Sequence, residues 1–199
     1  MFYTAEEGHS LPFNPFKAIV APRPIGWIST LTKDGAANLA PYSFFNGVGD
    51  APEMVMFASG GMKDSARNAI DTGEFTFNFV GRAMKDAMNA SSASLPYGED
   101  EFDHAGLTKA AGATVACPRV QGAAAAMECK LVETLTPQTL SGEPSSYTIL
   151  VGQVTGTFID DAFVTEGGRF DIAKADPIMR AGYRDYFGDG GLFEMERPG

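Results

Sequence analysis

Residues 27–42 read Trp-Ile-Ser-Thr-Leu-Thr-Lys-Asp-Gly-Ala-Ala-Asn-Leu-Ala-Pro-Tyr. Two strand-like runs, 27–32 and 37–42, flank Lys33-Asp34-Gly35-Ala36, and Asp-Gly between such runs is a strong hairpin signal. The same period of two recurs further along the chain. Phe75, Phe77 and Phe79 alternate with Thr76 and Asn78, which predicts one aromatic and one polar face. Met127, Cys129, Leu131 and Leu135 are expected on one side of another strand, with Glu128, Lys130 and Thr134 on the other. Residues 147–159 form a long β-type run interrupted by Gly152 and Gly156, which predicts bends, bulges or close backbone approaches there. Helical signals are fewer. Asp64 or Ser65 is expected to cap a helix running to Asp71, with Ala66, Ala69 and Ile70 facing inward. A second helix fits residues 82–90, with Met84 and Met88 one turn apart. Many short strands and few helices predict a barrel or a sandwich, and the pattern alone does not choose between them.

The bulk composition suits that architecture. The chain has 199 residues, 44% hydrophobic and 20% charged, enough for one compact domain with a core. Gly 23 and Pro 12 are spread along it and so punctuate turns instead of marking a disordered tail. The formal net charge of −10, with no Lys/Arg cluster, argues against nucleic acid as a partner. No apolar run approaches the roughly 20 residues of a spanning helix, and the first residues do not read as a secretory signal. The two cysteines, Cys117 and Cys129, have no metal or redox spacing. A cytoplasmic location is the expectation.

The inventory of reactive side chains is narrow. With only His9 and His104, a multi-histidine metal centre is not expected, and no metal site is predicted. A hydrolase triad would need one of these two, of which His9 lies near the N-terminus and His104 in an acidic stretch, 99–103. Neither a GxGxxG nor a GxxxxGK[ST] motif occurs. Any difficult chemistry would therefore fall to a bound cofactor. The best local candidate for its phosphate site is Ser59-Gly60-Gly61-Met62-Lys63-Asp64-Ser65-Ala66-Arg67-Asn68. There two glycines and a helix start would present backbone N–H groups, with Lys63 and Arg67 as counter-charge. Read in isolation, the same segment is also an ordinary capped helix with surface cations. A second cluster, residues 21–30 with 38–46, sets hydroxyl and amide side chains beside prolines and aromatics. That mixture suits a planar ring with a polar edge, although each aromatic taken singly also reads as core.

Taken together, these stretches resemble the flavin reductase-like FMN-binding split-barrel family, which includes flavoredoxins and the reductase components of two-component flavin monooxygenases. The resemblance is carried by PRPIGWIST (22–30), NLAPYSFFN (38–46), KDSARN (63–68) and EFTFNFV (74–80). It continues through Pro118-Arg119-Val120, Met127 to Leu131 and RAGYRDY (180–186), so it spans roughly residues 15 to 187. It implies a mainly β fold, a six-stranded Greek-key antiparallel barrel with added helices, occupying residues 1–199 as one domain. It also implies a homodimer with each FMN near the subunit interface. Carried over by position, Trp27, Ile28, Ser29 and Thr30 would line the flavin. Asn38, Pro41, Tyr42 and Ser43 would hold the ring's polar edge and the ribityl chain. Ser59, Lys63, Asp64 and Ser65 would surround the phosphate, with Asn68 supporting the loop. Arg180 and Tyr186, with Arg23, are placed near the cofactor or its open face. No catalytic residue is assigned.

One position departs from the pattern. Many reductases of the family carry a His before the late strand, and here that position holds Tyr147. The resemblance implies an FMN-dependent oxidoreductase that takes electrons from NAD(P)H and reduces flavin or a small acceptor. Tyr147 favours the alternative, a non-catalytic flavin carrier or electron-transfer protein of the same fold.

Overall fold

In the computed structural model, residues 1–188, 191–192 and 195 are described. The expected domain range 1–199 therefore ends on residues outside those described. The strands are β1 (Gly26–Leu31), β2 (Ala37–Tyr42), β3 (Phe45–Asp50), β4 (Glu53–Gly60) and β5 (Glu74–Asn78). They are followed by β6 (Lys109–Ala110), β7 (Arg119–Val120), β8 (Ala125–Leu135), β9 (Tyr147–Ile159), β10 (Met179–Arg180) and β11 (Tyr186–Phe187). The α-helices are α1 (Phe16–Ile19), α2 (Asp64–Thr72), α3 (Lys85–Ala90), α4 (Glu101–His104) and α5 (Ile172–Ala175).

Seven strands form one antiparallel sheet in the order β2-β1-β5-β8-β9-β4-β3. Its two edges, β2 and β3, are consecutive in the chain and joined by only Ser43 and Phe44. The three Cα–Cα steps from Tyr42 to Phe45 reach about 11 Å at most, so the sheet must curl until these strand ends meet. Across the closed interior the rings of Tyr42 and Phe57 lie 4.9 Å apart. Counted as one strand bent at Ser43-Phe44, β2 and β3 leave six strands. Around the barrel β5 then sits beside β1, after the meander of β1, β2–β3 and β4, which is the Greek-key order. The hairpin read from Asp34-Gly35 pairs Leu31 with Ala37 and Gly26 with Tyr42, and Gly35 turns at φ +88.

Strand alternation divides the apolar side chains into two cores. Ile28, Tyr42, Phe45, Phe57, Phe75, Cys129 and Leu150 fill the barrel. Trp27, Leu39, Val80, Met88, Phe102 and Val120 form a second core outside it, beneath the added helices. Both faces of β1 and β5 are therefore buried, and the face of β5 expected to be polar is not solvated. Thr76 donates to the Cys117 carbonyl at 3.1 Å, while Asn78 donates to Trp27 O at 3.1 Å and accepts from Val120 N at 2.7 Å.

Three further details differ from the sequence expectation. The residue capping α2 is Lys63, so Asp64 and Ser65 lie inside the first turn. Ile70 is exposed, because the inward face of α2 is made of Ser65, Ala66, Asn68 and Ala69. The helix at 82–90 divides into a 3-10 turn, Arg82–Met84, and α3.

Candidate functional site

A cavity of about 520 Å³ opens where β2, the end of β4, the start of α2, the 91–95 loop and the start of β9 meet. That volume lies within the roughly 300–1,000 Å³ usual for small-molecule sites. Asn38, Pro41, Tyr42, Ser43, Lys63, Asp64 and Ser65 all line it. Residues separated in the sequence are thus brought to one place by the crossover from β4 through α2.

The helix end is built for this position. Ser59 Oγ donates to Gly61 O at 2.8 Å, and Gly61 turns at φ +78, bringing Lys63 to the head of α2 in extended backbone. The Lys63 side chain makes no cap bond and is exposed. A helix head offers unsatisfied N–H groups and the positive end of the peptide dipoles, which favour an anion. Asp64 in the first turn is 3.9 Å from Arg67, whose guanidinium lies 4.7 Å from the Tyr97 ring centre.

Behind the cavity wall runs a buried polar network. Asn38 Oδ1 accepts from Ser65 Oγ at 2.7 Å and Thr30 Oγ1 at 3.1 Å, and its Nδ2 donates to Glu101 Oε2 at 2.8 Å. Glu101 Oε2 also accepts from Leu39 N at 2.9 Å. Asn68 joins through Thr30 Oγ1 at 3.2 Å and Tyr97 at 3.1 Å. Burial pushes the Glu101 carboxyl up from its ordinary pKa, with the charge of Asp64 adding to the effect, while the bonds from Leu39 and Asn38 pull the other way. Burial likewise raises the Tyr42 phenol, opposed by hydrogen bonding with Ser65 and Ser59.

Other expected site residues sit elsewhere. Trp27, Ile28, Ser29 and Thr30 are fully buried and open onto neither this cavity nor the one beside it. Trp27 Nε1 donates to Ser91 Oγ at 2.8 Å, and Ser29 Oγ is bound to Pro118 O. Ser59 and Asn68 are buried behind the wall. Arg180 and Tyr186 line the adjoining cavity. Sequence reasoning assigned no place here to Lys17, Glu101 or the 91–95 loop. Ser91-Ser92-Ala93-Ser94 carried a compositional cue, small and polar after a helix. Glu101 carried none, since its partners lie more than sixty positions earlier. Both cysteine thiols are buried and pushed up to about 12, mainly by that burial, so neither is a nucleophile here.

Residues 20–171 match the model of the flavin reductase like domain. The chain belongs to the flavin reductase-like family. Among its relatives, an uncharacterised protein of Aquifex aeolicus is 33% identical over 173 residues, covering 84% of this chain and 85% of that one. Among solved structures, this flavin reductase-like chain is similar to nitrilotriacetate monooxygenase component B from Bacillus cereus. The TM-score is 0.84 at 28% identity, covering 94% of this chain and 100% of that one. Its fold is also that of the flavoredoxin of Desulfovibrio vulgaris (Miyazaki F), with TM-score 0.78, 20% identity, and coverage of 98% and 97%. The family and the split-barrel fold agree with the expectation from sequence. Among the described residues, no helix of this flavin reductase-like chain is long and apolar enough to cross a membrane.

Proposed function

We propose that the chain is an oxidoreductase that holds FMN in the cavity at the head of α2 and takes electrons from NAD(P)H to reduce flavin or a small acceptor. One observation carries this reading. The α2 N-terminus, Lys63 and Ser65 converge on the same cavity as Pro41, Tyr42, Ser43, Phe44 and Tyr147. An anion-binding end joined to an apolar wall with polar edges fits a planar ring with a phosphate tail. In this arrangement Lys63 and Ser65 hold the phosphate, Ser59 shapes the Gly61 turn, and Asp64 keeps Arg67 in place. Asn38, Pro41, Tyr42 and Ser43 hold the ring edge and ribityl chain. Trp27 to Thr30 and Asn68 position these groups from behind, Trp27 through Ser91 and Thr30 through Asn38. Bound flavin supplies the hydride-accepting chemistry, and the protein supplies orientation and a closed wall. The working unit is a cytoplasmic homodimer in which residues 1–199 make one domain per chain.

A second reading, a flavin carrier without a nicotinamide site, is favoured by Tyr147. Its ring lies edge-on to Phe44 at 5.6 Å on the cavity wall, at the position where many reductases of the family carry His. Anaerobic addition of NADH or NADPH to the purified, FMN-saturated protein separates the two. Rapid bleaching of the flavin spectrum is expected, and Lys63→Ala is expected to hold FMN about tenfold or more weakly. An oxidised spectrum that persists overturns the nicotinamide-dependent reading in favour of the carrier. Absence of any FMN binding overturns both.

A further inference from the structure

A second cavity, of about 600 Å³, adjoins the first and shares Lys17, Pro41, Ser43 and Ser92 with it. Its charged lining residues are Lys17, Arg23 and Arg180, and no Asp or Glu lines it among the described residues. In a chain of net charge −10, a wall of three cations without a carboxylate runs against the composition.

Arg23 is the informative member. It is only 6% exposed. Its guanidinium donates to the carbonyls of Lys17, Val20 and Ala181, yet its Nε has no hydrogen-bond partner among the described residues. A backbone bridge with N–H···O bonds of 2.9 Å in both directions sets Arg180 opposite it. Burial, and after it the charge of Arg180, pulls the Arg23 pKa down. A buried guanidinium facing a second cation is costly without an opposing charge, and carbonyl oxygens supply only partial charge.

Three rings, Phe13, Tyr183 and Tyr186, share the lining with these cations. Arg180 lies 4.5 Å from the Tyr186 ring centre, and Phe13 meets Tyr183 edge-on at 5.8 Å. Tyr183 is held at φ +55, a left-handed conformation that a non-glycine residue adopts at a cost and that is concentrated at ligand sites. Lys17 and Arg23 each lie 5.9 Å from the ring centre of Phe44, which lines the first cavity.

We propose that the second cavity binds a small planar organic anion, an aromatic carboxylate, with its carboxylate between Arg23, Arg180 and Lys17 and its ring directed toward the first cavity. A planar carboxylate matches the guanidinium fork, and the interleaved rings match a flat apolar body. Its role as the substrate of the site rests on the flavin-binding function proposed above; its binding does not.

Calorimetric titration of FMN-saturated protein with benzoate, benzamide, NADH and inorganic pyrophosphate tests this, with flavin occupancy read from the absorption spectrum of each sample. Benzoate is expected to bind about 10–100-fold more tightly than its neutral amide, the worth of a charge-assisted pair. Arg180→Gln and Lys17→Gln are each expected to weaken benzoate about tenfold or more. These two serve if Arg23→Gln, which releases three backbone carbonyls, fails to fold. Equal binding of benzoate and benzamide, or no effect of either variant, overturns the proposal. Displacement of benzoate by pyrophosphate and NADH alike also overturns it, by assigning the cations to a dinucleotide's phosphates. A sample that binds no flavin yet distinguishes benzoate from its amide would overturn the function and leave the anion site standing.

Discussion

Two buried glutamates show how local partners set opposite behaviour in one residue type. Burial pushes the Glu128 carboxyl up, but Thr114 Oγ1 at 2.7 Å, Ala113 N at 2.8 Å and the Thr114 N–H together outweigh it and hold its pKa below the ordinary value. Glu101 has fewer donors and the charge of Asp64 acting on it, so burial prevails and its pKa is raised. The signs of their stability contributions follow. Glu128 adds stability above the pKa of the unfolded chain, and this is lost as pH falls through its lowered folded value. Glu101 is the reverse, its contribution being full below the unfolded pKa and lost as pH rises through its raised folded value. Thermal melts of wild type, Glu128→Gln and Glu101→Gln from about pH 3 to pH 8 check this. The deficit of Glu128→Gln is expected to shrink toward acid. Glu101→Gln should compare most favourably with wild type at the neutral end. A deficit of Glu128→Gln that does not change with pH would show that its carboxylate is not held ionised by the 113–114 segment. Neither role was legible in the sequence. Alternation set Glu128 only on the face opposite Met127 and Cys129, and the donors that hold it, Ala113 and Thr114, lie 15 and 14 positions away.

At the scale of the element, alternation and turn chemistry were legible wherever neighbouring residues decide the outcome. Asp34-Gly35 gave the β1–β2 hairpin, although its register pairs Leu31, not Thr32, with Ala37, and the glycine-broken run 147–159 is β9 from end to end. Polar residues drawn inward by distant partners were not legible. Ser65 and Asn68 face the Thr30–Asn38 network, so the buried face of α2 is half polar and Ile70 is left outside. Gly152 carries a further consequence. A Cβ there would run into the Phe75 ring and reach within 3.0 Å of Cys129 Cβ. The interior at this point is filled by Phe75 and Phe57, packed edge to face at 5.3 Å, so the ring has nowhere to withdraw. Gly152→Ala is expected to destabilise the fold by about 1–3 kcal/mol in a denaturant titration. The added substitution Phe75→Leu should recover part of that loss, since it removes the obstructing ring edge. A neutral Gly152→Ala would mean that the Phe75 ring does have room to withdraw.

For the whole molecule, closure of the barrel could be reached only through family resemblance. Periodicity counts strands, whereas closure depends on β2 and β3 being neighbours in the chain and opposite edges of the sheet. The same limit applied to the site, whose two cavities join segments more than a hundred residues apart. Assembly is the remaining question at this scale, and one surface bears on it. Phe13, Phe16 and Ile19 are exposed, and the arm that carries them packs on the 181–183 turn. There a Cβ on Gly182 would strike Ala18, and Phe13 touches Tyr183. Tyr183, Tyr186 and Phe187 are exposed beside them, so the apolar side chains gather in one place instead of scattering singly. Such a patch in an acidic chain is costly to leave in water and is characteristic of an association face. It borders the cavity lined by Phe13, Tyr183 and Tyr186, so a partner seated on it would also narrow the entrance to that cavity. Light scattering on the purified chain is expected to give twice the chain mass. Replacing Phe16 and Ile19 together by Glu should shift it toward the single-chain mass and loosen ligand binding in the second cavity. Neither residue lines the first or the second cavity, so a loss of binding in step with the loss of mass would arise from the missing partner. A wild type that runs at the single-chain mass, or a double variant that stays dimeric, would remove this face from the assembly.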